Sequence, residues 1–431
     1  MLTLIKNGRL VDPSQNIDSI CNIVIKDGKV DMITTDDVID KRCYDINNIT
    51  IIDASGLVVT PGFVDMHVHL RDPGFTHKGD IESECYCAAS GGVTSLVCMP
   101  NTKPAIDSSE TIEYIIDKSK TASAHVYPAC SITKGLSGNE LVDFAGMKKS
   151  GAIATTDDGR PVENAKMMME AMCLAKEHGL KVISHCEDLA IIDGGIINDG
   201  EVSKALGIKG MSRASEDSIT AREISLAAAS DTDIHIAHVS TWYSTQLVRD
   251  AKKCGIKVTA ETCPHYFSLT ESELLKKDAD YRMNPPLREQ KDVDAILEGV
   301  IDGTFDCIVT DHAPHSVEEK SDFEKAPNGV IGMETSFSAS YTYLVDSGKI
   351  SLSKLVELMS TNPAKLLGIK AGSLKVGMPA DIAIIDLDKE WVVDAEKSNS
   401  KSKNCVYKGK TLKAKVVKTL LDGKIVYEYQ N

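Results

Sequence analysis

His67 and His69 stand two residues apart in Phe63-Val64-Asp65-Met66-His67-Val68-His69-Leu70-Arg71-Asp72, where an apolar β-branched run comes to its end. Strand side chains alternate with period two, so the two imidazoles share a face, about 7 Å apart along the strand. From there they can converge on one divalent ion at ~2.0–2.1 Å per Zn–N bond. Other ligand-type side chains close other β-branched runs: Asp157 and Asp158 after GAIATT, His185 after KVIS, His238 after DIHIA, and Asp311 after FDCIVT. Four imidazoles with two carboxylates suit zinc or a similar borderline cation. They are enough for two ions sharing a bridging carboxylate, with either Asp157 or Asp158 at the bridge. Such a centre generates hydroxide at neutral pH and polarises a carbonyl.

These residues meet only if the runs that carry them lie side by side. Eight short runs recur between residues 57 and 310, separated by longer helical stretches: LVVTPGFVDMHV, VTSLVCMP, AHVYPACSI, GAIATT, KVISHC, DIHIAHV, KVTAET and FDCIVT. Apolar strands alternating with helices predict an α/β fold with a parallel sheet, and eight of them predict a closed (β/α)8 TIM-like barrel. The count alone also fits an open doubly wound sheet. In a barrel the ligands fall at strand C-termini, the end where barrels carry their chemistry. The methionines of residues 164–178 recur at helical spacing and read as packing against the sheet.

The chain ends read differently. Residues 2–9, 20–25 and 49–53 at one terminus, and 381–386, 405–407 and 415–427 at the other, carry antiparallel β signals. Gly28-Lys29, Gly409-Lys410 and Gly423-Lys424 read as turns between them. The organisation expected is a small β-sandwich-like module built from residues 1–56 and 369–431, flanking a catalytic barrel of residues 57–368.

Length and composition fit this picture. The 431 residues are 42% hydrophobic and 26% charged, so the chain can bury a large core. A formal charge of −15 disfavours nucleic acid and anionic membrane as partners. No apolar stretch reaches the roughly 18–20 residues of a membrane helix, and the N-terminus lacks the pattern of a secretory signal. Twelve dispersed cysteines read as reduced thiols, and the expected location is the cytoplasm. A homo-oligomer or a partner enzyme of the same pathway is left open.

The remaining histidines read as structural. Alternation turns His235 away from His238, and His312 and Cys186 away from Asp311 and His185. His125 and His178 fall at the wrong end of the barrel, while His77 and His265 lie in loops.

DMHVHLRDPG, with TDHAPH near the far end of the barrel, resembles the paired signature of the dihydroorotases within the amidohydrolase superfamily. The likeness continues through MPNT at 99–102, TDDG at 156–159, SHCED at 184–188, AHVS at 237–240, MNPPLR at 283–288 and ADIAIID at 380–386. It implies that His67, His69 and Asp311 hold one Zn2+ and His185 and His238 a second, two per chain. Asp158 would be the bridge, with Asp157 the alternative. No lysine ends the fourth strand, so the chain is similar to an aspartate-bridged branch. The resemblance also implies a small-molecule substrate, dihydroorotate or N-carbamoyl-L-aspartate. Arg71, Asn101 and His315 would hold its carboxylate, and Asn284 with the backbone of Pro327 and Gly329 its ring. Asp311 would be the catalytic acid–base. At Asn328 the chain departs from family members that carry an aromatic residue. Hydantoinases and allantoinases share the barrel and the HxH start but carry a bridging lysine and lack the arginine at position 71. A scaffold homologue without activity would show gaps among its ligands.

Overall fold

The computed structural model describes residues 2–36 and 49–430. All eight central runs form strands, hydrogen-bonded in chain order into one eight-stranded parallel sheet: β1 (Phe63–Val68), β2 (Val93–Cys98), β3 (His125–Cys130), β4 (Ala154–Thr155), β5 (Lys181–Ser184), β6 (Ile234–Ile236), β7 (Val258–Thr262) and β8 (Cys307–Ile308). Every residue of β1 and β2 is buried. That is why these strands read as unbroken apolar runs: one face packs inside the barrel and the other under the helices.

The sheet closes on itself, which removes the open doubly wound alternative. Val68 bridges His312 in parallel, and the His69 N–H donates to the His312 carbonyl at 2.7 Å. Asp65 fastens the same seam from inside, accepting from the Thr310 hydroxyl at 2.6 Å and its N–H at 3.2 Å. Burial pushes the Asp65 carboxyl up to about 6, against the pull of those hydrogen bonds.

The termini meet in a second eight-stranded sheet. It encloses a core of its own, including Ile5, Leu10, Ile23, Val59, Ile382 and Leu420. Several local expectations change here. Ile49–Asp53 pairs with the Leu2–Asp12 strand in parallel, not antiparallel. Residues 405–407 form no strand but lead into a turn before Thr411–Leu421. Two of the three expected turns are hairpins, but their central pairs are Asp27-Gly28 and Asp422-Gly423, with all four φ angles positive. Asp-Gly is the pair that a two-residue type I′ turn demands, so the signal sits one residue before the Gly-Lys steps. Gly409-Lys410 closes no hairpin. Val58–Pro61 pairs with Ile382–Val392 and with Arg9 and Leu10 in the terminal sheet. We therefore propose that the module extends to Pro61 and the barrel begins after Gly62, five residues beyond the boundary expected from sequence.

Candidate active site

The ligand candidates all sit in, or within three residues of, the C-terminal ends of β1, β4, β5, β6 and β8. Three residues of this rim have positive φ without being glycine: Arg71 (63°), His238 (33°) and Asp311 (48°). Such backbone is costly for an L side chain and persists where the surroundings impose it, characteristically at functional sites.

Asp158 stands at the centre. Its Oδ1 lies 3.3 Å from His67 Nε2, 3.4 Å from His185 Nδ1 and 3.8 Å from His238 Nε2, and its Oδ2 lies 3.5 Å from His69 Nε2. Asp311 Oδ1 is 3.1 Å from His69 Nε2 and 3.7 Å from His67 Nε2. The donor atoms form two groups that share one carboxylate: His67, His69 and Asp158, and Asp158, His185 and His238. Asp157, the other candidate, is turned away. It accepts from the N–H groups of Ile132 and Thr133 and from the Thr133 hydroxyl.

The imidazoles are oriented from behind. His67 Nδ1 donates to Glu261 Oε1 at 2.8 Å, His69 Nδ1 to Asn101 Oδ1 at 2.8 Å, and His185 Nε2 to Glu187 Oε2 at 3.2 Å. With an ion in the centre, each of these bonds would hold the tautomer whose other ring nitrogen points its lone pair inward. His67 Nε2 is fully buried and has no hydrogen-bond partner, although carboxylate oxygens of Asp158 and Asp311 lie 3.3 and 3.7 Å away. A buried orphan nitrogen is costly, and a divalent cation is the group that this nitrogen, two carboxylates and three further imidazoles fit. Burial opposes charge on Asp158, but the surrounding imidazoles hold its carboxylate well below the usual range. Asp311 is likewise held low, by His69 and His67 against its burial.

A cavity of about 210 Å3 opens over this centre, lined among others by Asp158, Asp311, Arg71, Asn101, Asn284 and His315. Arg71 is buried, and burial pushes its guanidinium down to about 10 while Asp311 and Asp158 favour the charge. It donates from Nε to the Pro314 carbonyl at 3.1 Å, and its Nη2 lies 3.1 Å from His315 Nε2. Burial, with Arg71 and Lys78, pushes the His315 ring down to about 2 and keeps it neutral. Either neutral tautomer is served: Nε2–H by the Asn328 carbonyl at 2.9 Å, Nδ1–H by Glu319 at 3.3 Å. Asn101 also donates to Asp158 Oδ2 at 3.3 Å, and Asn284 donates to Glu187 Oε1 at 2.6 Å. Both amides therefore brace the centre while facing the cavity.

Gly329 lines the cavity at a φ of 144°, where a Cβ would come within 2.9 Å of the His315 ring and 2.7 Å of the Ala313 carbonyl. Pro327 does not line it; its carbonyl accepts from the Lys320 ammonium at 2.9 Å. The Asn328 side chain accepts from Arg282 at 3.2 Å, and its backbone carbonyl meets His315 at the cavity wall.

Three residues that the sequence reading did not place here stand directly behind the cluster. Glu261 carries His67, Glu187 carries His185, and His235 donates from Nε2 to Glu261 Oε2 at 3.0 Å. The last corrects the structural reading of His235. Alternation fails because β6 ends at Ile236 and His238 turns through a positive φ. Glu261 had a legible signal, a charged residue inside a barrel strand. Glu187 had a weaker one, two residues beyond a ligand. His265, expected in a loop, is buried on the short helix Pro264–Ser268, where burial pushes its ring down to about 4.

Residues 56–244 match the family described as Dihydro-orotase-like, and residues 208–427 the Amidohydrolase family. Among curated proteins, the Dihydroorotase of Geobacter metallireducens is 47% identical over 430 residues, 99% of this chain and 100% of its own. The Dihydroorotase of Acetivibrio thermocellus is 47% identical over 425 residues, 98% of each chain. Among solved structures, L-hydantoinase (dihydropyrimidinase) from Arthrobacter aurescens superposes with a TM-score of 0.88 at 26% identity, covering 100% of this chain and 96% of that one. Dihydropyrimidinase from Brevibacillus agri gives 0.86 at 25%, covering 99% and 95%. The hydantoinases thus share the architecture at a distance, whereas end-to-end identity near one half is found with dihydroorotases. The chain belongs to the dihydroorotase family of the amidohydrolases.

Proposed function

We propose that the chain is a metal-dependent cyclic amidohydrolase that interconverts L-dihydroorotate and N-carbamoyl-L-aspartate, with ring closure the biosynthetic direction in de novo pyrimidine synthesis. The observation that carries this reading is a single cavity lined on one side by the His/Asp centre and on the other by a buried guanidinium. A cyclic amide bearing a carboxylate needs both; a neutral hydantoin or allantoin has no use for the arginine.

His67, His69 and Asp311 would hold one Zn2+ and His185 and His238 a second, with Asp158 between them. When bound, such ions lower the pKa of water to about 7 and polarise the attacked carbonyl. The protein's own groups do the rest. Arg71, with Asn101 and His315, would take the substrate carboxylate, where a planar fork of donors matches two oxygens in a site shielded from solvent. Asn284 and the backbone of Gly329 would meet the ring. Holding the amide carbon in place converts a bimolecular attack into a positioned one. Asp311, held ionised by its neighbours, would take the proton of the attacking water and deliver it to the departing ring nitrogen, acting as base and then acid. In ring closure the same carboxyl must begin protonated.

The eleven cysteines among the described residues are free, which supports a reducing compartment, the cytoplasm. Among the described residues no helix is long and apolar enough to cross a membrane. Turnover measured side by side on dihydroorotate, hydantoin and allantoin tests the assignment. Dihydroorotate should be strongly preferred, and a preference for either uncharged ring would overturn it.

A further inference from the structure

A second convergence of ligand-type side chains lies at the opposite mouth of the barrel. His125 opens β3, Asp381 immediately precedes the module strand Ile382–Val392, and Asp422 occupies the Asp-Gly turn before Lys424–Glu428. One donor atom from each lies within 4.8 Å of the other two. His125 Nε2 is 3.2 Å from Asp381 Oδ2 and 3.8 Å from Asp422 Oδ2.

Asp381 is 5% exposed, and its Oδ2 is buried without a hydrogen-bond partner. The His125 imidazole beside it can share a cation with this oxygen once the facing ring nitrogen is unprotonated. Donors held at ~2.0–2.2 Å from a tetrahedral ion lie about 3.2–3.6 Å apart, which is the spacing found for the His125–Asp381 pair.

The carboxylates are also held in place independently of His125. Asp381 Oδ1 accepts the Asp422 N–H at 2.8 Å, and the Asp381 carbonyl accepts the Gly62 N–H at 2.8 Å. Asp422 is set by a turn whose two central residues have φ of 47° and 72°. His125 and Asp422 remain partly exposed, with side-chain accessibilities of 32% and 56%, so an ion could enter from solvent and keep water ligands.

We propose that His125, Asp381 and Asp422 form a second divalent transition-metal site of zinc type, remote from the catalytic centre. It would clamp the start of a barrel strand to two segments of the terminal module. One imidazole with two carboxylates is a donor set for zinc or a neighbouring first-row ion rather than calcium or magnesium. Bound only by the folded chain, the ion would raise thermal stability without entering the reaction.

The test uses the full-length protein, dialysed against a zinc buffer and then analysed for metal per chain, in the wild type, Asp422→Asn and His125→Gln. Asparagine keeps the turn, since Asn-Gly is as favourable there as Asp-Gly. Each variant should carry one zinc fewer than the wild type, retain dihydroorotate turnover, and lose part of the Tm rise that zinc gives the wild type. Equal zinc content in all three proteins would overturn the proposal. If it were accompanied by a lower Tm in the variants, the cluster would be a plain histidine–aspartate ion pair.

Discussion

Glu261 grips His67 from behind the ligand cluster: Glu261 Oε1 lies 2.8 Å from His67 Nδ1, and the other carboxylate oxygen lies 3.0 Å from His235 Nε2. The two histidines hold this fully buried carboxylate ionised against its desolvation, well below the usual range. It in turn makes His67 a more basic, fixed ligand. Outer-shell carboxylates of this kind are worth roughly 10–100-fold in metal affinity. Glu261→Gln should therefore lose metal to a chelator at concentrations that leave the wild type loaded, with turnover falling in parallel. Unchanged metal retention would remove Glu261 from the site.

Arg71→Ala tests the carboxylate anchor. Truncating one partner of a buried charge pair costs about 2–5 kcal/mol, so kcat/KM for dihydroorotate should fall roughly 30- to 5,000-fold. Metal content should stay at the wild-type value. Arg71→Lys restores the charge but not the fork and should recover only part of the loss. Full turnover by the alanine variant would contradict the assignment.

Asp311→Asn keeps the shape of the side chain and removes its capacity to carry a proton. General acid–base groups contribute about 10²–10⁴-fold, and a loss of kcat in that range is expected with KM little changed. Asp311→Ala should also weaken the hold on the ion shared with His67 and His69. A kcat within a few-fold of the wild type in Asp311→Asn would assign the proton transfer elsewhere.

Lys320 gives a stability signature in pH. Its ammonium lies under the cavity loop, donating to the carbonyls of Ala279, Arg282 and Pro327 at 2.9–3.1 Å, and burial pushes it down to about 7 from an ordinary 10.5. Between those values the unfolded chain binds the proton more tightly than the folded one, so stability rises with pH across that window, by up to ~1.4 kcal/mol per unit. Below about 7 both states are protonated and the slope vanishes. Urea denaturation from pH 6.5 to 9.5 should show the wild type gaining on Lys320→Met as pH rises. Parallel curves would show that Lys320 is not depressed.

The eight barrel strands and the convergence of the candidate ligands were legible because both follow from local rules. Parallel strands buried on two faces must read as apolar runs, and inward side chains at their C-terminal ends meet around one axis. Parity arguments held up to the first residue past a strand, where His67 and His69 still converge, and failed farther out. There His238, Asp311 and Arg71 adopt positive φ and no period applies. The choice of Asp158 over Asp157 was not available from spacing, because it depends on the Thr133 and Ile132 groups that take Asp157 from another loop. The same limit hid His235, whose place is defined by Glu261, 26 residues on, and the brace that Asn284 gives Glu187. Val58–Pro61 was merged with β1 because only Gly62 separates two strands that belong to different sheets.

The most direct measurement is dihydroorotate hydrolysis followed while metal is stripped from the native protein and returned, with bound ions counted at each step. Turnover should vanish with the metal and return in proportion to the ions restored, and His67→Ala should recover neither. Undiminished hydrolysis by metal-free protein would contradict the account of the His67–Asp158 centre as the seat of the reaction.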